Sequence, residues 1–207
     1  MIALLAPAFF AALVALALYG APADWAHIRV RWQPLALGAL LVQLVLFNPP
    51  LNHQPWALEW GPWIWVISML GMLAAFVKNA AAGGTSGTAW LVAGLGVVLN
   101  LAAVTANGGQ MPVSPQALAF TKGEAHLHEH SLAQDAPAQL SNVVLIGPET
   151  RLTGLGDVLP EPAWLPGANV VSVGDLVLAA GLAWWAFYAI SFGSRRRVGR
   201  PAGAETT

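Results

Sequence analysis

The sequence predicts an all-α integral membrane protein with five transmembrane helices. Of its 207 residues, 57% are hydrophobic and only 9% are charged, whereas soluble domains carry about 25% charged residues. The apolar residues fall into five blocks, each close to the roughly 20 residues that a helix needs to cross a bilayer. The sequence has no cysteine, which excludes disulfides, thiol catalysis and cysteine-ligated metals. A formal net charge of −1 gives no electrostatic basis for binding nucleic acid.

The five blocks define the predicted helices in order. The first block has no charge, the second ends before Asn48-Pro49-Pro50, and the third is closed by Lys78. The fourth follows a glycine-rich turn, and the fifth opens with Ser172-Val173-Gly174-Asp175, which has the pattern of a helix capping box. Asp175 could instead carry a proton, but capping is favoured. We expect a single membrane domain with helices at about residues 2–19, 30–47, 62–77, 88–106 and 171–192.

The distribution of lysine and arginine predicts the orientation, because cytoplasmic loops are enriched in these residues. With five spans, seven of the nine basic residues fall on one side, and only Lys122 and Arg151 fall on the other. Most acidic residues lie on the same side as Lys122 and Arg151. We therefore expect the N-terminus outside and a basic cytoplasmic tail at residues 193–207.

Residues 107–170 form the long connection between the fourth and fifth blocks, and we expect them to form an outer loop subdomain over the helix ends. Ser114-Pro115 predicts the start of a short helix that runs through about Phe120. Val143–Ile146 and Arg151–Leu155 are predicted to pair as a hairpin. Asn107-Gly108-Gly109, followed by Pro112, is typical of a helix exit, and a structural role is favoured over ligand binding.

Two segments of this connection carry a family resemblance: Asn107-Gly108-Gly109-Gln110-Met111-Pro112-Val113 (N-G-G-x-M-P-V) and Leu155-Gly156-Asp157-Val158-Leu159-Pro160 (L-G-D-V-x-P). In these segments, in length and in helix–loop–helix order, the sequence resembles a bacterial membrane-protein family catalogued only as a domain of unknown function. The resemblance implies a fold and an absence of known catalysis, and it names no substrate and no catalytic residue. We expect the protein to lie in the bacterial inner membrane. The residues to which we assign structural roles are Asn107, Gly108, Gly109, Pro112, Asp157, Ser172 and Asp175.

The segment His126-Leu127-His128-Glu129-His130 is the candidate metal site. On an extended strand, alternate residues share a face, so His126, His128 and His130 together with Glu124 could bind zinc, copper or nickel. On a helix, His126 and His130 would share a face and His128 would not. A solvated polar loop with incidental histidines is the favoured alternative, and no cofactor other than a divalent metal is indicated.

The spans contain few polar side chains. Gln43 and Asn100 are the strongly polar ones near mid-span, and we expect them to form interhelical hydrogen bonds. No charged residue lies near the middle of a span, which disfavours a coupled transporter, and there is no P-loop or G-x-S-x-G motif.

We therefore expect a non-catalytic accessory or structural subunit that packs against other membrane-protein subunits and contacts lipid or quinone. One alternative is a small-solute or lipid transporter with Gln43 and Asn100 on a common polar path. The other is a metal-binding enzyme or sensor built on the histidine cluster.

Overall fold

The computed structural model describes residues 2–21, 30–135 and 140–198, and within these ranges the chain is mainly helical, as predicted. The five helices that correspond to the apolar blocks are α1 (Ile2–Tyr19), α2 (Gln33–Leu46), α3 (Pro55–Ala80), α4 (Gly84–Ala106) and α7 (Val173–Val198). Three described helical segments are long and apolar enough to cross a membrane: α3, α4 and Val173–Phe192 of α7. The apolar helical stretches Ala6–Tyr19 and Gln33–Leu46 are shorter.

Helix α3 begins seven residues before its predicted start at Pro62. Glu59 and Pro62 interrupt the apolar pattern, but they do not interrupt the helix. Pro55 occupies the first turn, where its missing N–H costs no helical hydrogen bond, and the extended backbone of Gln54 precedes it. Pro62 therefore lies inside the helix.

The five helices pack side by side in the order α2–α3–α4–α7–α1. Aromatic rings join the central members of this row. The ring of Trp90 on α4 lies 5.2 Å from Phe76 on α3 and 5.0 Å from Trp185 on α7, measured between ring centroids. The core thus runs along a single row of helices.

Helices α4 and α7 approach each other closely at glycines. A Cβ atom added at Gly96 would meet the backbone of Leu178 and Gly174, and one added at Gly181 would meet the backbone of Ala93. A Cβ atom at Gly94, by contrast, would lie at an ordinary 3.6 Å from the side chain of Leu73. Small residues at such a contact allow two helix backbones to touch, which is how helices associate in membranes.

The connection between α4 and α7 contains a four-stranded sheet, so the prediction of an all-α fold is wrong. Its strands are β1 (Met111–Val113), β2 (Val143–Leu145), β3 (Asp157–Pro160) and β4 (Val170–Ser172), and their spatial order is β2-β1-β3-β4. Strand β1 pairs in parallel with β2 and β3, whereas β3 and β4 are antiparallel. Strand β4 leads directly into α7.

The predicted hairpin is also wrong, because β2 pairs with β1 and residues Thr153–Leu155 form a 3₁₀ turn. The Asn107 side chain explains the difference. Its Oδ1 accepts a hydrogen bond from the Arg151 N–H at 2.8 Å, and its Nδ2 donates to the Arg151 carbonyl at 2.8 Å. These bonds fix Arg151 at the end of α4, away from β2.

Two short helices pack on this sheet: α5 (Pro115–Lys122) and α6 (Glu124–Asp135). Ser114 caps α5 as predicted, since its Oγ accepts a hydrogen bond from the Ala117 N–H at 3.3 Å. The small core beneath these helices consists of Val113, Ala117, Leu118 and Val170, with Leu127, Val143 and Leu145 at its edge.

Two glycines that follow α4 allow the chain to leave the helix. Gly108 and Gly109 adopt φ angles of 65° and 88°, which glycine tolerates far better than other residues. Gly109 packs against Pro62 of α3, and the buried Pro112 packs against Gly156. The connection is thereby seated on the bundle through α3 and α4.

The close approach of α4 and α7 yields a stability prediction. We expect Gly96→Ala to lower the free energy of unfolding by about 1–3 kcal/mol, because the added methyl group must displace backbone atoms. This corresponds to roughly 2–4 °C in Tm for each kcal/mol. The matched variant Gly94→Ala should leave Tm unchanged or raise it. Thermal unfolding of both variants in the same detergent measures the effect, and equal Tm values would contradict the close contact.

Candidate functional site

The candidate site lies where the sheet meets the first turn of α7. The predicted capping box is present. The Ser172 Oγ accepts a hydrogen bond from the Asp175 N–H at 2.9 Å, and the Asp175 Oδ2 accepts one from the Ser172 N–H at 3.2 Å. The two side chains thus satisfy backbone donors that the start of a helix leaves without partners.

Asn100 of α4 closes this box into a ring of hydrogen bonds. Its Nδ2 donates to the Asp175 Oδ1 at 2.7 Å, and its Oδ1 accepts from the Ser172 hydroxyl at 2.8 Å. Ser172 is fully buried, and its hydroxyl uses both its donor and an acceptor position within the ring. Gly174 completes the fit, because a side chain there would collide with Asn100 and with α4.

Asp157 brings a second carboxyl group to the ring. It is the first residue of β3, and its partner across the antiparallel pair is Ser172. Its backbone carbonyl accepts a hydrogen bond from the Ser114 N–H at 2.9 Å, which fixes it at the start of α5. Burial, and to a lesser degree the charge of Asp175, raise the pKa of Asp157 from 3.8 to about 8.

A pKa of about 8 favours the protonated Asp157 carboxyl at neutral pH, because ionising it would place a charge in a partly buried position and, to a lesser degree, beside the charge of Asp175. The Ser172 hydroxyl is committed to the ring, so it is not poised as a nucleophile. The geometry therefore supports a junction that carries a proton and holds three elements together.

The predicted intramembrane polar residues belong to separate groups. Gln43 of α2 donates from its Nε2 to the Ser68 Oγ of α3 at 3.1 Å, while Asn100 bonds to residues of the ring described above. Both therefore make the expected interhelical hydrogen bonds. Each such bond contributes about 0.6–2 kcal/mol in a membrane.

The histidine cluster lies on α6, so the strand geometry predicted for it does not occur. His126 faces Glu129, with its Nδ1 3.8 Å from the Glu129 Oε2, while His128 and Glu124 are exposed. Among the described residues, no group of three or more histidine, aspartate or glutamate side chains is placed to hold a metal ion. The His130 side chain lies outside those residues, so the metal site stays a prediction.

Sequence reasoning missed two features of the polar network. It assigned Asp157 a structural role without placing it near Asp175, because nothing in the local sequence brings the two carboxyl groups together. It also overlooked Asn79, which is 4% exposed and hydrogen-bonded to the backbone of Arg31. The presence of a single asparagine at the end of an apolar helix could have indicated a buried hydrogen bond there.

The raised pKa of Asp157 predicts a pH-dependent stability. Between about pH 4 and pH 8 the folded protein holds a proton that the unfolded chain has released, so stability falls as pH rises through this range and levels off above it. We expect a loss of at least about 1.4 kcal/mol, the equivalent of one pKa unit, or about 3–6 °C in Tm.

The variant Asp157→Asn keeps the shape of the carboxyl group and removes its ionisation. Its Tm should vary less between pH 5 and pH 8.5 and should exceed the wild-type Tm above pH 8. The exposed Glu149 supplies the control, since Glu149→Gln should retain the wild-type profile. An unchanged profile for Asp157→Asn would contradict the assignment.

Comparison with protein families gives a match that covers most of the chain. Residues 27–187 match a family described as a family of unknown function, DUF5317. None of the curated proteins and none of the solved structures matches. The matched range includes α2–α4, the sheet, all three residues of the ring, and Asp157. The predicted resemblance to a family of unknown function is confirmed, and the chain belongs to DUF5317.

Proposed function

We propose that this protein is a five-span protein of the bacterial inner membrane that acts as a non-catalytic accessory or structural subunit of a larger membrane complex. The observation that carries this proposal is the single row of five apolar helices. A row buries less helix surface than a closed bundle, so most of its apolar surface must contact something else. Lipid and other membrane proteins are the two candidates.

The degree of burial supports this reading. In the most apolar window of each long span, only 39% of α3, 44% of α4 and 28% of α7 is buried within the chain. The exposed residues follow helical spacing. The stripe on α3 comprises Trp60, Trp63, Ile67 and Leu70, and that on α4 comprises Leu91, Leu95 and Val98. Such continuous apolar stripes fit helix packing in a membrane.

The shorter helices α1 and α2 complete the five spans in this proposal. Helix α2 has 14 residues and is therefore about 21 Å long, which is less than the hydrocarbon thickness of about 30 Å. Its flanking residues, local thinning of the bilayer or contact with a partner must cover the difference.

Charge supports the proposed orientation. Arg31 and Lys78 lie at the same end of the row, because α2 begins and α3 ends there. Lys122 and Arg151 lie at the opposite end, beyond α4. The positive-inside rule then places the first end in the cytoplasm and the N-terminus outside.

A cleft between α1 and α7 supports contact with lipid or quinone. Its volume is about 220 Å³, below the roughly 300 Å³ of a typical small-molecule pocket. A segment of acyl or isoprenoid chain would fit better than a complete ligand. The residues that line the cleft are Tyr19, Trp184, Phe187, Tyr188, Ser191 and Phe192.

The use of the polar groups favours a subunit over a transporter. A transporter would need Gln43 and Asn100 on one path, yet each is engaged in its own interhelical hydrogen bonds. Opening a path between them would leave Ser172 and Asp175 without their partners, at a cost of about 1–3 kcal/mol for each buried group.

The five-span orientation can be tested with single cysteines, because the natural sequence has none. We expect Gln54→Cys and Gln116→Cys to react with a membrane-impermeant maleimide in intact cells. Ala21→Cys and Ala82→Cys should react only after permeabilisation. All four positions are exposed in the structure. Labelling of Ala21→Cys in intact cells would contradict the five-span arrangement.

The subunit role can be tested by native mass spectrometry of the full chain extracted gently from its own membrane. We expect a complex of fixed stoichiometry with other membrane proteins that survives transfer into lipid nanodiscs. Ile67→Trp and Leu91→Trp probe the two exposed stripes, and at least one should dissociate the complex without lowering Tm. A monomer in every extraction condition would refute the proposal.

A further inference from the structure

The end of the row where α2 begins and α3 ends contains a hydrogen-bonded clamp, formed by the Asn79 side chain and the backbone of Arg31. The Arg31 N–H donates to the Asn79 Oδ1 at 2.7 Å, and the Asn79 Nδ2 donates to the Arg31 carbonyl at 2.7 Å. Asn79 is buried and also donates to the Ala75 carbonyl at 2.7 Å. The backbone of Arg31 is therefore fixed to the last turn of α3, next to Lys78.

The clamp is followed by a residue in a costly conformation. Trp32 has φ 55° and ψ 31°, which lie in the left-handed region that residues other than glycine rarely adopt. Its carbonyl accepts the first hydrogen bonds of α2, from the N–H groups of Leu35 and Ala36. The Lys78 Nζ lies 5.6 Å from the centroid of the Trp32 ring, within the range of a cation–π interaction. Strained residues of this kind cluster at functional sites.

The cations at this end lack compensating charge in the described part of the chain, where neither Arg31 nor Lys78 forms an ion pair with a carboxylate. Glu59 lies in the second turn of α3, 19 residues before Lys78, and is therefore about 28 Å away along the helix axis. The other carboxylates whose side chains the structure describes come after α4 in the sequence, at the end of the row opposite Arg31 and Lys78. They are Glu124, Glu129, Glu149, Asp157, Glu161 and Asp175.

Below the cations the surface is apolar and open. Leu35 on α2 is 41% exposed and Val77 on α3 is 56% exposed, one on each of two packed helices. Trp32 directly precedes α2, is 52% exposed, and has its ring centroid 5.6 Å from the Lys78 Nζ. A tryptophan ring prefers the boundary between hydrocarbon and headgroups, so an exposed tryptophan beside a cation at a helix end fits that boundary.

We propose that Arg31, Trp32 and Lys78 form a binding site for an anionic glycerophospholipid. The lipid phosphate contacts the guanidinium and ammonium groups, and an acyl chain lies along Leu35 and Val77. Two features favour a lipid over free phosphate: the apolar surface next to the charges, and the indole ring at the boundary. This site does not depend on any protein partner, so it can hold even where the subunit role fails.

The test uses the full chain in detergent, titrated with phosphatidylglycerol or with phosphatidylcholine of the same acyl chains, and native mass spectrometry counts the bound lipid. We expect the wild-type protein to prefer phosphatidylglycerol. Each basic residue near a membrane surface strengthens anionic-lipid binding about fivefold. Arg31→Gln with Lys78→Gln should therefore weaken phosphatidylglycerol binding about 25-fold.

The matched control removes two basic residues from the opposite end of the row. Lys122→Gln with Arg151→Gln should bind phosphatidylglycerol as the wild type does. Trp32→Leu keeps both charges and should weaken binding about two- to fivefold through loss of the cation–π contact. Tm measurements identify any variant that fails to fold. If the variant without Arg31 and Lys78 fails to fold, lipid binding by Trp32→Leu still tests the site.

Three outcomes would overturn the proposal. The first is equal phosphatidylglycerol binding by the wild type and the Arg31→Gln, Lys78→Gln variant, and the second is an equal loss of binding in the control variant. The third is displacement of phosphatidylglycerol from the wild type by millimolar inorganic phosphate, which would define an anion site without lipid specificity. Retention of the lipid in the presence of phosphate supports the proposal.

Discussion

The hydrogen-bonded ring of Asn100, Ser172 and Asp175 is the interaction on which the rest of the structure depends. It joins α4, β4 and α7 at one point, and β4 runs into α7 without a linker. Movement of α7 against α4 would therefore displace the sheet as well. The glycines at 96 and 174 make the ring possible, because the hydrogen bonds require the two helix backbones to lie in contact. Buried polar groups of this kind cost free energy unless every member is paired.

Asparagine performs a related task at two helix ends. Asn79 binds the backbone of Arg31, and Asn107 binds the backbone of Arg151, each through one donated and one accepted hydrogen bond. A side-chain amide has the same donor and acceptor as a peptide group, so it can replace a neighbouring strand. Each clamp fixes an irregular segment to a long helix without another element of regular structure. One clamp seats the sheet on the bundle, and the other fixes the cations of the proposed lipid site.

The two ends of the helix row differ in their charged side chains. Burial raises the pKa of Asp157 to about 8, which favours its neutral form and so disfavours two adjacent negative charges at the junction at neutral pH. At the opposite end Arg31 and Lys78 have no carboxylate partner within the described residues, where an anionic lipid would supply the missing charge. The proposed subunit role is consistent with both features, since the polar groups serve structure and lipid contact while the apolar faces stay available for packing.

The sequence by itself determined the apolar helices, the Ser114 cap, the Ser172–Asp175 capping box and the family, because each depends on composition or on residues close in the chain. Only the tertiary structure decided that β1 pairs with β2 and β3, and that the histidine segment is helical rather than extended. Short strands carry too few residues for a readable alternation, and the partners of β1 are distant in the chain, since Met111 pairs with Val143 and Val113 with Asp157. The proximity of Asp157 to Asp175 and the hydrogen bonds between Asn79 and Arg31 likewise depend on tertiary contacts. Such contacts arise from how helices and strands are brought together, which local periodicity does not encode.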